Sequence, residues 1–322
     1  MDRVIILSKM RIADAIFLTL RVFAVRSGSL YTRRMDRSAK IKQLKSLAAT
    51  DEDIRLIDRI EVQRRTIMGN NKSPVSGPHT SSSCLKDEEE LQDLHLAGLT
   101  FRLNTEFAPA SIDTLIDLWI DSAHMGLPGF RARENDTVLD IGANEGFYTL
   151  CVKHENPDAK ILSVEPISST YKLLTTNLTL NPCTRSQVYP VNAAAAAAHR
   201  YVEMFRHPRV PTVSSEHISQ LEQSWIKPSS LKKELVEAFT LDEICRGAEF
   251  RRVDLIKIDV EGAEVEVLQG AQEVLGMASR IVLEWHSSAL KDAAITFLQE
   301  RGFRLLMAEA HRFGDLYFER EN

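Results

Sequence analysis

The chain has 322 residues, 44% of them hydrophobic and 26% charged, an ordinary globular composition with ample length for one large α/β domain and an appendage. Its four cysteines (Cys84, Cys151, Cys183, Cys245) are scattered and form no C-x-x-C pair, which argues against a zinc site and for reduced thiols in a cytosolic setting. The net charge of −5 hides an asymmetry: residues 1–72 carry 16 Lys/Arg against 8 Asp/Glu, and the remainder 24 against 37. The first segment is therefore a basic extension that either meets an acidic partner or docks on its own acidic domain.

Ile6, Met10, Ala13, Phe17, Leu20 and Ala24 follow helical spacing, with Arg11, Asp14 and Arg21 on another face. No uncharged run approaches the ~18 residues of a membrane span, and Lys9, Arg11 and Asp14 break any secretory core. With Arg26, Arg33, Arg34, Arg37, Lys40, Lys42 and Lys45 behind it, this helix reads as a docking element. Peripheral contact of residues 1–45 with an anionic membrane surface is the alternative. Residues 38–68 read as helical, from Ile41 and Leu44 to Ile54, Ile57, Ile60 and Ile67, and Asn70–Ser83 reads as a linker rich in Ser, Pro, Gly and Asn. A strand near Leu99–Leu103 and a helix carrying Ile112, Leu115, Ile116 and Trp119 lead into the main domain. The expected division is a helical basic extension over 1–72, a linker over 73–94 and an α/β domain over 95–322.

From residue 137 strands and helices alternate, which specifies a parallel sheet covered on both faces. The expected strands are Thr137–Ile141, Lys160–Glu165, Gln187–Asn192, Val253–Val260 and Arg280–Trp285. The helix after the second is expected to start at a Ser168 or Ser169 cap and to stop at Asn181-Pro182. Val267, Leu268, Ala271, Val274 and Leu275 mark the helix after the fourth, and Leu290, Ala293, Ala294, Phe297 and Leu298 the helix after the fifth. Phe303–Glu309 and Asp315–Arg320 have no helix between them and form an antiparallel hairpin at a sheet edge. Five α/β units closed by such a hairpin describe the seven-stranded sheet of Rossmann-like methyltransferases, whereas a dehydrogenase more often continues with parallel units.

Thr137–Thr149, TVLDIGANEGFYT, carries the chemistry of that sheet. A turn at the carboxyl end of a parallel strand that opens a helix is where α/β proteins hold nucleotides. Here the pattern is D-x-G-x-N-x-G, with Asp140, Gly142, Asn144 and Gly146, not the G-x-G-x-x-G of pyrophosphate binders. Asn144 in place of the second glycine points to a cofactor without a bridging pyrophosphate, for which S-adenosylmethionine is the candidate. Asp140 is placed to accept from its ammonium group, Glu165 to take both ribose hydroxyls from the end of the second strand, and Asn192 to lie near adenine.

Lys257, Asp259 and Glu261 share one side of the fourth strand, and Glu284 and His286 one side of the fifth. Neighbouring strands bring Asp259, Glu261, Glu284 and His286 to the carboxyl edge, where pockets open. Such a group is a base cluster, a divalent-metal site of the catechol-type methyltransferases, or a solvated rim; the base cluster is favoured and no metal ligands are assigned. A hydroxyl acceptor gains from a general base. His286 is the first choice by its ordinary pKa, and Glu261 or Asp259 the second. Lys257 reads as a buried partner of Asp259.

DTVLDIGANEGFYTL, ILSVEP, FTLDEI, VDLIKIDVEGAEVEVLQGA and IVLEWH, in this order, resemble the FkbM-type methyltransferases over about residues 99–320. The resemblance implies an S-adenosylmethionine-dependent enzyme, commonly an O-methyltransferase of sugars or other hydroxylated secondary metabolites. It implies Asp140, Gly142, Asn144, Gly146, Glu165 and Asp259 as cofactor residues. Two features depart from the pattern: the six-alanine run Ala193–Ala198 and the 90-residue N-terminal extension. The acceptor is expected to be gripped by His199–Ser230, the least regular segment, with Arg200, Arg206, His207, Arg209, His217, Trp225 and Lys227. The partner is then a small-molecule or glycan acceptor, and the setting cytoplasmic. The rival readings are a nucleic-acid or protein methyltransferase using the basic segment, and a non-catalytic cofactor-binding protein. Nucleic acid is disfavoured: the strand-four motif is D-V-E-G, not the N/D-P-P-Y/F of amino-methylating enzymes, and no aromatics interleave the basic residues.

Overall fold

In the computed structural model residues 35–70, 91–105, 108–182, 187–207, 210–215, 231–309 and 314–321 are described. The helix expected over the first 25 residues and residues 71–90 of the expected linker lie outside them. The described chain clusters into two compact units, a smaller one with residues 35–70 and Asp93–Phe101 and a larger one with residues 91–92 and those from Arg102 onward.

In the smaller unit the continuous helical pattern of residues 38–68 is divided. Helix α1 (Arg37–Lys45) starts at Asp36, whose carboxylate accepts from Ala39 N at 2.9 Å. A new start is forced at Thr50: its hydroxyl accepts from Asp53 N at 3.2 Å, and Asp53 Oδ2 accepts from Thr50 N at 3.0 Å. This reciprocal cap opens α2 (Asp51–Asn70). Strand β1 (Leu91–Leu96) begins inside the stretch expected to be linker and turns through Ala97 and Gly98, at φ 51° and 82°, into β2 (Leu99–Asn104). Asp53, 2% exposed, fixes the hairpin by accepting from His95 N at 2.8 Å.

The larger unit opens with α3 (Ala108–Trp119), then β3 (Thr137–Ile141), α4 (Phe147–Glu155), β4 (Lys160–Val164), α5 (Ser168–Leu180) and β5 (Val188–Val191). Next come four strands the sequence did not announce: β6 (Ala194–Ala195), β7 (Arg200–His207), β8 (Val210–Ser215) and β9 (Lys232–Phe239). Helix α6 (Leu241–Gly247), β10 (Leu255–Ile258), α7 (Glu264–Gln269), α8 (Gln272–Met277), β11 (Arg280–Trp285), α9 (Ser288–Gln299), β12 (Phe303–Ala308) and β13 (Gly314–Arg320) complete it. The main sheet has seven strands in the order β12-β13-β11-β10-β3-β4-β5. Its five central and lateral strands from β11 to β5 are parallel, and β13 is antiparallel to both β11 and β12. Every residue of β3 and β10 is buried, as expected of strands covered on both faces. This is the Rossmann-like methyltransferase sheet with a terminal hairpin.

Three local expectations are corrected. Neither Ser168 nor Ser169 caps α5: the cap position is Ile167, and carboxylates of Glu165 and Glu234 accept from Ile167 N (2.9 Å) and Ser168 N (3.0 Å). The helix after β10 is two helices: Gly270, where a Cβ would overlap the carbonyl of Ala196, is the C-cap of the first, and its carbonyl accepts from Asp242 N at 3.1 Å. Asp242 then caps α8 by accepting from Glu273 N and Val274 N at 3.0 and 2.9 Å. Finally, the segment expected to be irregular after His199 is partly a four-stranded sheet of order β6-β9-β7-β8, in which Val202, Met204, Val236 and Ala238 make a small core of their own.

Candidate active site

The site is built where the register of β3 and β10 ends. Asp140 lies beside Lys257 and Ile141 beside Ile258, and the Asp259 N–H donates to the Ile141 carbonyl at 3.0 Å. The chain leaves β3 through Gly142 at φ +81°, a left-handed conformation, with a Cβ there overlapping the Asp259 carbonyl. Only glycine satisfies both conditions. The N–H groups of Gly142 and Ala143 are already used, donating to Val164 O at 3.0 and 2.9 Å. Asn144 also has positive φ, 50°, and its side-chain oxygen is buried without a partner. Gly146 sits at the N-cap of α4.

Asp140 is placed differently from the expectation. It is fully buried under the turn, accepting from Thr149 Oγ1 at 2.7 Å and paired with Lys257 Nζ at 3.3 Å, and does not line the cavity above. Lys257 also donates to the Gly142 carbonyl at 2.7 Å and lies 3.6 Å from Asp259. Burial opposes its charge, but Asp140 and Asp259 outweigh burial and raise its pKa. An Asp–Lys–Asp chain thus ties the turn to β10.

The cavity, about 740 Å³ including its open mouth, is lined by Gly142, Asn144, Glu165, the run Ala193–Ala196, Val202, Met204, Asp259 and Glu261. Glu165 is 6% exposed and accepts from Asn144 N at 3.0 Å and Ile167 N at 2.9 Å; burial pushes its pKa up to about 7. Each oxygen retains a further lone pair. Asn192 is exposed and does not line the cavity: its amide donates to the carbonyls of Glu165 and Pro166 at 2.9 and 3.0 Å, bracing the end of β4. The alanine run explains itself here. Its small side chains leave a smooth apolar wall, and Ala196 packs its carbonyl against Gly270. Of the residues expected to grip the acceptor, Arg200 is paired with Glu266 at 2.6 Å, and Arg209, His217, Trp225 and Lys227 lie outside the described residues.

At the mouth, Asp259, Glu261, Glu284 and His286 come together. His286 Nε2 lies 3.3 Å from Glu261 Oε2 and 3.9 Å from Asp259 Oδ1, while its Nδ1 lies 2.6 Å from Glu264 Oε1. Burial depresses the His286 pKa, but the Glu264 hydrogen bond and the carboxylates of Glu261 and Asp259 prevail and raise it to about 10. The ring therefore does not have the ordinary pKa that the choice of His286 as base assumed; it lies between the carboxylates of Glu261, Asp259 and Glu264. Burial drives Glu261 up to about 7 and Glu284 up to about 8, while Lys257, His124 and His286 overcome burial and keep Asp259 low.

Sequence reasoning missed three members. Glu264, fully buried, is the last residue of VEGAE and reads as an ordinary first-turn acid. His124 stands in the loop after α3 at φ 61° and reaches Asp315 through its N–H at 2.7 Å and Nδ1 at 2.8 Å. Its Nε2 faces Glu284 at 3.8 Å and Asp259 at 3.9 Å. Asp315 lies beside Glu284 in the antiparallel register of β13 and β11, which only the hairpin insertion creates.

Among the described residues no helix is long and apolar enough to cross a membrane. The chain is similar to the methyltransferase sdnD of Sordaria araneosa, 29% identical over 192 residues that cover 52% of this chain and 74% of the relative. It is similar to the hexuronic acid methyltransferase AglP of Haloferax volcanii, 25% identical with 49% and 59% covered. The 2-O-methyltransferase NoeI of Sinorhizobium fredii is 25% identical, with 53% of this chain and 72% of the relative covered. Residues 140–305, just over half of the chain and spanning the first turn, the cavity wall and the acidic mouth, match the methyltransferase FkbM domain, and the chain belongs to that family of methyltransferases.

Proposed function

We propose that this methyltransferase uses S-adenosylmethionine to methylate a hydroxyl of a sugar or other small hydroxylated acceptor. One observation carries the reading: a cavity at the carboxyl edge of parallel strands has a glycine-dependent turn, a buried carboxylate and an apolar wall inside, and carboxylates at its mouth. The residues fit the cofactor. Gly142 lets the turn close against the Asp259 carbonyl, Asn144 presents a buried oxygen without a partner, and Glu165 has lone pairs left for hydroxyls. Asp259 walls the same space, Ala193–Ala196 offer a flat apolar surface for a base, and Asp140, Gly146 and Asn192 serve by shaping the turn and the strand ends. When bound, the cofactor supplies a methyl group on a sulfonium, already a strong electrophile.

The protein's remaining work is alignment and proton removal. Glu261 reaches the mouth with φ +52°, and Ser215 donates to its carbonyl at 2.7 Å, so its backbone is fixed. Its carboxylate, 3.3 Å from His286 Nε2, takes the hydroxyl proton. The name of AglP, a hexuronic acid methyltransferase, favours a sugar acid as acceptor, and that of NoeI, a 2-O-methyltransferase, favours transfer to oxygen.

The test is transfer of label from S-adenosylmethionine to a panel of monosaccharides, uronic acids and hydroxy acids, with nuclear magnetic resonance to locate the new methyl group. Glu165→Ala is expected to weaken cofactor affinity more than about tenfold by calorimetry. Glu261→Gln is expected to lower turnover by roughly 100-fold with cofactor affinity retained. Label found on nitrogen, or Glu165→Ala binding as tightly as the parent, would sink the corresponding half of the proposal.

A further inference from the structure

Two histidines at the mouth are built alike. Each spends Nδ1 on a buried carboxylate, His286 on Glu264 at 2.6 Å and His124 on Asp315 at 2.8 Å. Each turns Nε2 toward Asp259, whose Oδ1 faces His286 and whose Oδ2 faces His124, both at 3.9 Å. Glu284 Oε2 stands 3.8 Å from His124 Nε2. Such separations are too long for hydrogen bonds. They suit two donors of one ion, which stand roughly 3–4 Å apart when each is about 2.1 Å from it. Asp259, Glu284 and His286 each offer a donor atom within 4.8 Å of the others. The carboxylate behind each ring is the arrangement that fixes ligating imidazoles. The His124 side chain is 9% exposed, and its Nε2, without a hydrogen bond, points into the same cluster.

We propose that Asp259, Glu284 and His286 hold a divalent first-row cation, with His124 Nε2 facing Asp259 and Glu284 beside it. Imidazole among the donors favours Fe²⁺ or Zn²⁺ over Mg²⁺ and Ca²⁺, and Mn²⁺, which carboxylates suit, can report on the same site. A cation entering the cluster displaces the proton on His286 Nε2, as ligation by imidazole requires. Asp259 belongs to both the cofactor cavity and this cluster, so an ion here sits at the acceptor's side of the cavity. It suits an acceptor that presents two neighbouring oxygens, such as a vicinal diol or a hydroxy acid. That acceptor class rests on the hydroxyl-methylation reading; the ion site does not.

The full chain, freed of metal with a chelator and transferred to clean buffer, is titrated with Mn²⁺ while the electron paramagnetic resonance signal of the free ion is followed. Saturable uptake of one ion per chain is expected. Glu284→Gln, of the same shape, should remove it, and Glu264→Gln should weaken it roughly tenfold or more through the ligand it braces. Glu237→Gln, on the small sheet, should leave it unchanged, and circular dichroism checks that each variant is folded. No uptake below about 1 mM Mn²⁺, or uptake indifferent to Glu284→Gln, overturns the assignment. Calorimetric binding of S-adenosylmethionine to the metal-free protein separates the two readings. Cofactor binding without Mn²⁺ uptake removes the ion site alone, whereas Mn²⁺ uptake without cofactor binding supports the ion site and removes the cofactor.

Discussion

Glu145, in the middle of the first turn, is 1% exposed and neither carboxyl oxygen has a hydrogen-bond partner. Burial pushes its pKa from 4.5 up to about 7. Because the folded-state value is raised, the unfolded chain releases this proton first as pH rises. Stability from the protonated form is complete below pH 4.5 and is lost progressively until about pH 7, after which the penalty is constant. Glu145→Gln removes that dependence. Its stability advantage over the parent is expected to grow across this interval to at most ~3 kcal/mol, read from urea unfolding at several pH values. An advantage independent of pH would mean that Glu145 is ionised when folded. At this scale motif residues were legible, and their partners were not. Asp140 and Lys257 could be named from the sequence, but that Asp140 serves Lys257 under the turn follows from register. His124 carries no local signal, since its partner Asp315 is 191 positions away.

At the scale of elements, the strands of the main sheet were readable because both faces are covered and apolar runs mark them. The small sheet was hidden by its polar outer face, although Val202 and Met204 alternate with exposed Tyr201 and Glu203 as a half-buried strand should. The break between α7 and α8 was hidden for another reason: Val267, Leu268, Ala271, Val274 and Leu275 keep helical spacing through it, and the partners at the break, Ala196 beside Gly270 and Asp242 on its carbonyl, are distant in sequence. Asp242 makes the second helix possible by capping it. Asp242→Ala is therefore expected to cost about 1 kcal/mol. In calorimetry that is a fall in Tm of roughly 2–4 °C for a unit of this size. Cofactor affinity should be unchanged, because Asp242 does not line the cavity. A variant as stable as the parent would show that the break at Gly270 needs no cap.

For the whole molecule, the division into units was the least legible feature, because composition marks the linker while strand pairing decides which residues cluster. Asp93–Phe101 joins the helical unit through a buried acid, Asp53, that reads as one of three charges in a helix's first turn. All residues lining the cavity, and all those of the histidine–carboxylate cluster, belong to the larger unit and lie after Arg102. If that unit carries its own core, as its contiguous cluster of β3, β10, β11 and β13 side chains implies, cofactor binding needs nothing before it. A chain starting at Arg102 is then expected to bind S-adenosylmethionine within about threefold of the full chain's affinity. Cofactor at about 100 times its Kd should stabilise both chains by the same ~2.7 kcal/mol, since the ligand acts only on the unit that holds it. A shortened chain that folds by circular dichroism and yet loses the cofactor would place part of the binding energy in the residues before Arg102.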